Sequence, residues 1–244
     1  MQNLYFALVL WYDVSMADVL TLKYPKKSHR KKVVLPRYSE PLAEFFGIMM
    51  GDGGINNDWQ ATVTVNSIAD ADYAQYISSL CKKLFNIRPV IRKRKEQNAL
   101  VISLASTSVV DFLVLNGLPR GNKLRNGLSI PEWIRGKPAL EKACVRGLVD
   151  TDGCIFTHTH KVGGKEYKNI GLTFTSYDPN LVFQVADIFE KFKIMPHITK
   201  RGRDICLYQA DSVAQYLKVF KTSNNRIESV YRRWKDRRAT ASSR

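Results

Sequence analysis

Cysteine is scarce in this sequence of 244 residues, and no two cysteines form a CxxC pair. The four are Cys81, Cys144, Cys154 and Cys206. This spacing argues against a zinc ribbon and a disulfide framework, so we expect a reducing, intracellular setting: cytoplasm, nucleoid or an organelle. No apolar run approaches the length of about 18 residues that a membrane span requires. The apolar stretch 4–11 lacks a basic flank and a cleavage site, so we expect no signal peptide there.

Acidic residues are also few. The chain has 38 Lys and Arg against 22 Asp and Glu, a formal net charge of +16. The basic residues are clustered, in 26–32, 92–95, 200–203 and 232–238. Because an excess of this kind attracts polyanions, nucleic acid is the expected partner. A hydrophobic fraction of 45% argues against disorder.

One short pattern occurs twice, in 45–53 (FFGIMMGDG) and 145–153 (VRGLVDTDG). Each copy reads as an apolar helix with small residues four apart, followed by an aspartate and a glycine. The aspartates, Asp52 and Asp152, are separated by 100 residues. Two equivalent helix ends predict a site on a pseudo-twofold axis, and in a basic chain that symmetry favours duplex DNA.

The order of predicted elements is duplicated as well. In the first copy we predict a helix up to Gly53, a strand over 60–66, a helix over 69–85, strands over 88–95 and 100–105, and a helix over 108–116. The sequence F-x-I-x-P-x-I recurs in 85–91 and 192–198. We therefore predict an extension with a basic run (1–39), a first repeat (40–117), a linker (118–138), and a second repeat (139–244) whose final helix, 226–238, is basic.

An aspartate at the end of a helix needs a physical reason. The C-terminal end of a helix disfavours a negative charge by up to about 1 kcal/mol, and two such ends side by side would repel each other. Divalent cations such as Mg²⁺ would remove the conflict, since they prefer oxygen ligands. Small residues (Gly47, Gly51, Gly147 and Thr151) would let the two helices approach closely. We expect Gly53 and Gly153 to end the helices as left-handed caps.

The paired segments resemble the two motifs of single-chain LAGLIDADG homing endonucleases. The second motif is the closer match. The first departs from the family pattern at Met50, where an acid is common, and at 45–46. The resemblance implies an α+β fold of two αββαββα repeats, with the motif helices at the interface and the strands forming a saddle over DNA. It also implies a monomer.

The resemblance assigns functional roles to the helix ends. Asp52 and Asp152, with main-chain carbonyls near Gly51 and Thr151, would hold Mg²⁺, for which Ca²⁺ or Mn²⁺ could substitute. The family places a lysine late in each repeat, and the nearest counterparts here are Lys123 and Arg226. An ordinary phosphate contact is an equally open interpretation of these two residues.

We expect the outward faces of the strands, and the turns that join them, to contact DNA. The candidates are Thr62, Thr64, Asn66, Arg92 and Arg94 in the first repeat, and Lys168, Thr173, Thr175, Lys200, Arg201 and Arg203 in the second. A second pattern in the same region is Cys154, His158 and His160, which share one face of a predicted strand. No fourth zinc ligand accompanies them, so we favour a DNA-facing hairpin over a zinc site.

The expected function is a site-specific, Mg²⁺-dependent DNA endonuclease, encoded within an intron. Two alternatives remain open at the level of sequence. One is an intron maturase that binds RNA, and the other is a catalytically silent DNA-binding regulator. Retention of both Asp52 and Asp152 favours the nuclease.

Overall fold

A computed structural model describes residues 33–242 of the chain. The basic run 26–32 and most of the predicted N-terminal extension lie outside the described residues. Within them, two sets of elements follow each other in the same order, as the duplicated sequence predicts.

The first set is a helix, a hairpin, a second helix, a second hairpin and a third helix. Its elements are α1 (Glu40–Met50), β1 (Gly53–Asn57), β2 (Gln60–Asn66), α2 (Ala71–Phe85), β3 (Val90–Lys93), β4 (Ala99–Ala105) and α3 (Thr107–Leu115). A short helix, α4 (Lys123–Asn126), then lies within the predicted linker. The alternation of 60–66 is confirmed, because Ala61, Val63 and Val65 are buried and the residues between them are not.

The second set repeats this order with a longer first hairpin. Its elements are α5 (Pro138–Asp152), β5 (Gly153–Val162), β6 (Lys165–Thr175), α6 (Pro179–Lys191), β7 (His197–Ile198), β8 (Asp204–Leu207), α7 (Ala210–Val219) and α8 (Asn225–Ser242). The predicted basic final helix is therefore present as α8, with bounds slightly wider than expected.

Each set contains one antiparallel four-stranded sheet, and the two sheets have the same strand order. These are β1-β2-β4-β3 and β5-β6-β8-β7. The recurring F-x-I-x-P-x-I segment leads into β3 in one sheet and β7 in the other. The expected α+β fold of two αββαββα repeats is thus confirmed, and the buried side chains of both repeats form one continuous core.

Strand β1 is the element that the residue pattern missed, because the helix was expected to continue to Gly53. Helix α1 instead ends at Met50, and Gly53 is already the first residue of β1. The expected strand over 88–95 is also shorter, at Val90–Lys93. Within residues 33–242, no helix has the length and apolar character that crossing a bilayer would require.

Candidate active site at the paired helix ends

Helices α1 and α5 pack against each other at two glycines related by the pseudo-twofold axis. A Cβ atom added to Gly47 would lie 2.1 Å from the carbonyl oxygen of Cys144, and one added to Gly147 would lie 2.2 Å from that of Glu44. Both distances are too short for any side chain, so the two backbones are in direct contact. The small residues therefore do what the sequence predicted, and they align the two helix ends.

Close approach continues to the functional end of the helices. A Cβ atom added to Gly51 would overlap the side chain of Thr151 and lie 3.1 Å from Oδ2 of Asp152. Asp152 is the last residue of α5. Asp52 lies in the turn between α1 and β1, where its carbonyl accepts a hydrogen bond from the Thr64 amide at 3.1 Å. The structure thus brings together the two segments that carry the predicted carboxylates.

Burial dominates the electrostatics of these carboxyl groups. It raises the pKa of Asp52 to about 6, while the positive charge of Lys123 partly opposes the shift. Burial raises the pKa of Asp152 to about 7, and the negative charge of Asp52 adds to that rise. Both side chains are therefore poorly hydrated, and the charge of one acts on the other.

Lys123, one of the two basic candidates, lies where the charges of Asp52 and Asp152 act on it. Its Nζ donates to the Met50 carbonyl at 2.9 Å and to the Gly51 carbonyl. Burial lowers the pKa of Lys123, while the charges of Asp152 and Asp52 act in the opposite direction. The Lys123 ammonium therefore contacts one of the carbonyls, that of Gly51, which the sequence assigned to the metal.

Arg226 occupies the corresponding place at the other helix end. Its Nη1 and Nη2 donate to the Gly153 carbonyl at 3.3 and 3.4 Å, and Nη2 also reaches the Asp150 carbonyl at 3.4 Å. Met50 and Gly51 in the first repeat correspond to Asp150 and Thr151 in the second. Lys123 and Arg226 therefore bond the corresponding carbonyls of Met50 and Asp150. Their second carbonyls do not correspond, since Lys123 bonds Gly51 whereas Arg226 bonds Gly153 and not Thr151. Arg226 differs in that its Nε also donates to Asp70 at 2.9 Å.

The expectation of left-handed glycine caps is wrong. Gly153 has an extended backbone, with φ −101° and ψ 160°, and Gly53 is not among the glycines with positive φ. These glycines are required for a different reason. A Cβ on Gly153 would lie 2.3 Å from the Val149 carbonyl, and one on Gly53 would lie 2.5 Å from Cα of Met49. The chain turns back so tightly against its own helix that no side chain fits.

The donor set suits a hard cation. Two carboxyl groups whose charges act on each other lie at helix ends beside main-chain carbonyls. Oxygen donors of this kind are what Mg²⁺ takes from proteins while it keeps waters and substrate oxygens as its other ligands. The Thr151 hydroxyl is turned towards its own helix, where it donates to the Gly147 and Leu148 carbonyls at 3.0 and 2.9 Å. Across residues 33–242, no three His, Cys, Asp or Glu side chains gather as a metal cage.

A buried polar network near this interface was missed by sequence reasoning. The carboxylate of Glu44, 2% exposed, accepts hydrogen bonds from Tyr76 at 2.8 Å, from Ser223 at 2.7 Å and from Arg146. Asp150, 1% exposed, accepts from the Ser223 amide at 2.7 Å, and burial raises its pKa to about 7. The sequence signal that could have indicated this network is the presence of charged residues, such as Glu44 and Asp150, inside apolar helices.

The outward face of the first sheet carries the predicted polar residues. In the sheet register, Thr64 and Arg92 both pair with Val101, so they occupy one row across three strands. Arg92 and Arg94 are exposed. Asn66 has a structural task, since its Oδ1 accepts from the Ile68 and Ala69 amides at 2.8 and 2.9 Å.

The second sheet places its candidates less uniformly. Thr173 and Thr175 lie on the outward face, where Thr175 donates to Asp204 at 2.8 Å. Lys168 does not share that face. Strand β6 runs in unbroken register from 165 to 175, so alternation places Lys168 on the side of the buried Ile170 and Leu172. The expectation that Lys168 joins the outward face is therefore wrong.

The turn between β7 and β8 carries the remaining basic candidates. Lys200, Arg201 and Arg203 are exposed there. The guanidinium of Arg203 lies 4.8 Å from the ring centre of the exposed Tyr177. This turn is at the end of the second sheet, as the turn with Arg94 is at the end of the first.

One family model matches the second repeat. Residues 139–234 match the family model described as LAGLIDADG-like domain. A curated relative, an A-type ATP synthase subunit from Pyrococcus abyssi, is 28% identical over 134 residues, which are 55% of this chain. This chain spans only 13% of that relative's length.

Solved structures match nearly the whole described chain. The meganuclease I-SmaMI bound to uncleavable DNA has a TM-score of 0.55 and 12% identity, over 80% of this chain and 89% of that chain. The LAGLIDADG homing endonuclease I-LtrWI bound to target DNA has a TM-score of 0.55 and 11% identity, over 83% and 92%. The corresponding complex of I-GzeII has a TM-score of 0.56 and 8% identity, over 83% and 91%. At these identities the likeness establishes the fold.

Proposed function

We propose that this chain, which contains a LAGLIDADG-like domain and has the fold of the LAGLIDADG homing endonucleases, is a site-specific endonuclease that cuts both strands of duplex DNA. The observation that supports the proposal is that the two helix ends that carry Asp52 and Asp152 meet, so that the charge of Asp52 acts on Asp152. Glycine contacts between α1 and α5 align the two helix ends, and burial raises the pKa of both carboxyl groups. Two carboxyl groups held in this way lower the stability of the folded protein when they are ionised, unless a bound cation neutralises their charge.

Asp52 and Asp152, with the carbonyls of Gly51 and Thr151, would hold Mg²⁺. When bound, such ions supply activation of water and stabilisation of the charge that develops on phosphate. The chain's own contribution is to fix the two carboxylates across the pseudo-twofold axis and to exclude bulk water from them. Lys123 and Arg226 place one positive charge at each helix end, where a phosphate of each strand can be neutralised.

Duplex DNA is the partner that best fits the surface. The two sheets have the same strand order, so the protein offers two equivalent surfaces, one for each half of a duplex. The turns at the ends of both sheets carry exposed arginine and lysine. The three similar solved structures are complexes with DNA. Phosphate contacts from these turns would orient the protein, while Thr62, Thr64 and Arg92 would face base edges.

The proposal is tested with duplex DNA that joins the two flanks of the reading frame, with Mg²⁺ and then with Ca²⁺. We expect a double-strand break with Mg²⁺. Asp52→Asn and Asp152→Asn should each lower cleavage by at least about 10³-fold, because each removes a charge that the reaction needs. Affinity for the same duplex in EDTA should stay within about threefold, a difference of less than 1 kcal/mol.

The matched control is Asp187→Asn, a carboxylate of α6 outside the site. Retained cleavage in Asp52→Asn or Asp152→Asn would refute the assignment of the site. Absence of cleavage by the wild-type protein, together with tight binding to intron RNA, would favour a maturase instead.

A further inference from the structure

Helices α2 and α6 occupy corresponding places in the two repeats, and both are preceded by an aspartate at the N-cap. Asp178 performs the usual task of that position, since its Oδ1 accepts from the amides of Asn180 at 3.0 Å and Leu181 at 3.4 Å. The side chain of Asp70 makes no cap bond to α2. Its carboxylate is directed elsewhere.

The carboxylate of Asp70 bonds across the interface to the second repeat. One oxygen, Oδ1, accepts from Nε of Arg226 at 2.9 Å and from Nδ2 of Asn224 at 2.8 Å. The Asp70 side chain is only 12% exposed. With both Nη atoms of Arg226 on main-chain carbonyls, the guanidinium is held at every nitrogen. Arg226 is thus fixed in orientation, and its charge is offset by the neighbouring carboxylate.

The other half of the site lacks this arrangement. Lys123 donates to two carbonyls, and none of the ion pairs within residues 33–242 includes it. Asp178, the counterpart of Asp70, accepts from the Leu128 amide at 2.5 Å and not from Lys123. One helix end therefore carries an arginine that is hydrogen-bonded to an aspartate, and the other carries an ammonium that is bonded to two main-chain carbonyls.

We propose that Asp70 is a positioning residue that holds Arg226 for the cutting of one DNA strand only. The proposal rests on the proposed nuclease function. The pseudo-twofold axis gives each strand of a duplex its own basic residue, so a defect at Arg226 affects one cut and leaves the other to Lys123. Displacement of a reacting group by about 1 Å can cost on the order of 10²-fold in rate.

The test is strand-resolved cleavage of a duplex whose two strands carry different fluorophores. Asp70→Ala should slow one strand by roughly tenfold to a hundredfold, with the other strand within about twofold, so that nicked DNA accumulates. Asp70→Asn keeps an oxygen acceptor for Arg226 and should recover most of the lost rate. Asp178→Ala removes an aspartate from the matching N-cap and should leave the ratio of the two rates unchanged.

A second measurement needs neither metal nor DNA. In the wild-type protein, the Nε–H resonance of Arg226 should be shifted and protected from exchange by its bond to Asp70, with the assignment made by Arg226→Lys. Asp70→Ala should abolish that protection. Failure of the wild-type protein to cut DNA would overturn the nuclease function and this proposal together. Equal slowing of both strands, or an unprotected resonance in the wild-type protein, would overturn this proposal alone.

Discussion

Two carboxyl groups at the helix ends are held where ionisation is unfavourable. Burial raises the pKa of Asp52 to about 6 and that of Asp152 to about 7. In an unfolded chain both groups ionise near pH 4. The folded state therefore retains protons that the unfolded state releases between about pH 4 and pH 7. Folding loses stability across that range as pH rises.

Because the ionised Asp152 destabilises the folded protein, we predict that Asp152→Asn stabilises the metal-free protein at pH 8. The gain should be on the order of 1–3 kcal/mol, because each pKa unit corresponds to 1.36 kcal/mol. At pH 4 the two proteins should unfold alike, since the wild-type carboxyl is then mostly protonated. Denaturant unfolding in EDTA at both pH values checks this. A mutant that is less stable than wild type at pH 8 would contradict the burial argument.

The residues at the site were predictable to different degrees. The duplicated Asp-Gly ends identified Asp52 and Asp152, because repetition in register is visible in the sequence. The role of the following glycines was not predictable, since a left-handed cap and a close backbone contact both demand glycine. The role of Asp70 depends on a contact across 156 residues, and no local pattern carries that information.

At the scale of elements, the site depends on how closely α1 and α5 approach. Gly47 and Gly147 place each backbone against a carbonyl of the other helix. Because both ends of the site are fixed to these helices, a change in their separation moves both carboxylates. The sequence predicted this contact from the small residues four apart, but it did not predict β1, whose first residue was assigned to the helix.

Gly47→Ala is expected to force the helices apart. The added Cβ would lie 2.1 Å from the Cys144 carbonyl oxygen, and overpacking typically costs about 1–3 kcal/mol. Cleavage should fall with stability, since Asp52 and Asp152 no longer align. The matched control is Gly54→Ala, where the nearest atom to the new Cβ is Nδ2 of Asn56, 3.8 Å away. Thermal unfolding of both variants tests this prediction. A Gly47→Ala variant as stable as the wild-type protein would contradict the close contact.

The buried pair of Glu44 and Arg146 joins the two motif helices to each other. Their side chains are 3% and 16% exposed. Arg146→Ala should cost about 3–5 kcal/mol, because it leaves a buried carboxylate without its cation. The double variant Glu44→Gln, Arg146→Ala should recover a large part of that loss, because it leaves no buried charge unpaired. Urea unfolding of the single and double variants measures the coupling, and additive effects would contradict it.

At the scale of the whole molecule, the two repeats are similar in order but unequal in length. Strands β1 and β2 have five and seven residues, whereas β5 and β6 have 10 and 11. Helix α8 packs beside the longer hairpin, and Nε1 of Trp234 donates to the Lys168 carbonyl at 3.3 Å. The duplication predicted the common order. It could not predict the inequality, because hairpin length depends on where pairing stops.

If DNA lies along both sheets as proposed, the longer hairpin should protect a longer half-site. Four to five additional residues at about 3.3 Å each extend the surface by ~13–17 Å, or roughly four to five base pairs. Hydroxyl-radical footprinting of the Asp52→Asn, Asp152→Asn double variant should show protection that reaches further on one side of the centre. Trp234→Ala, which removes the contact from α8, should shorten that side and leave the other unchanged. Equal protection on both sides of the centre in the double variant would show that the extended hairpin does not follow the duplex.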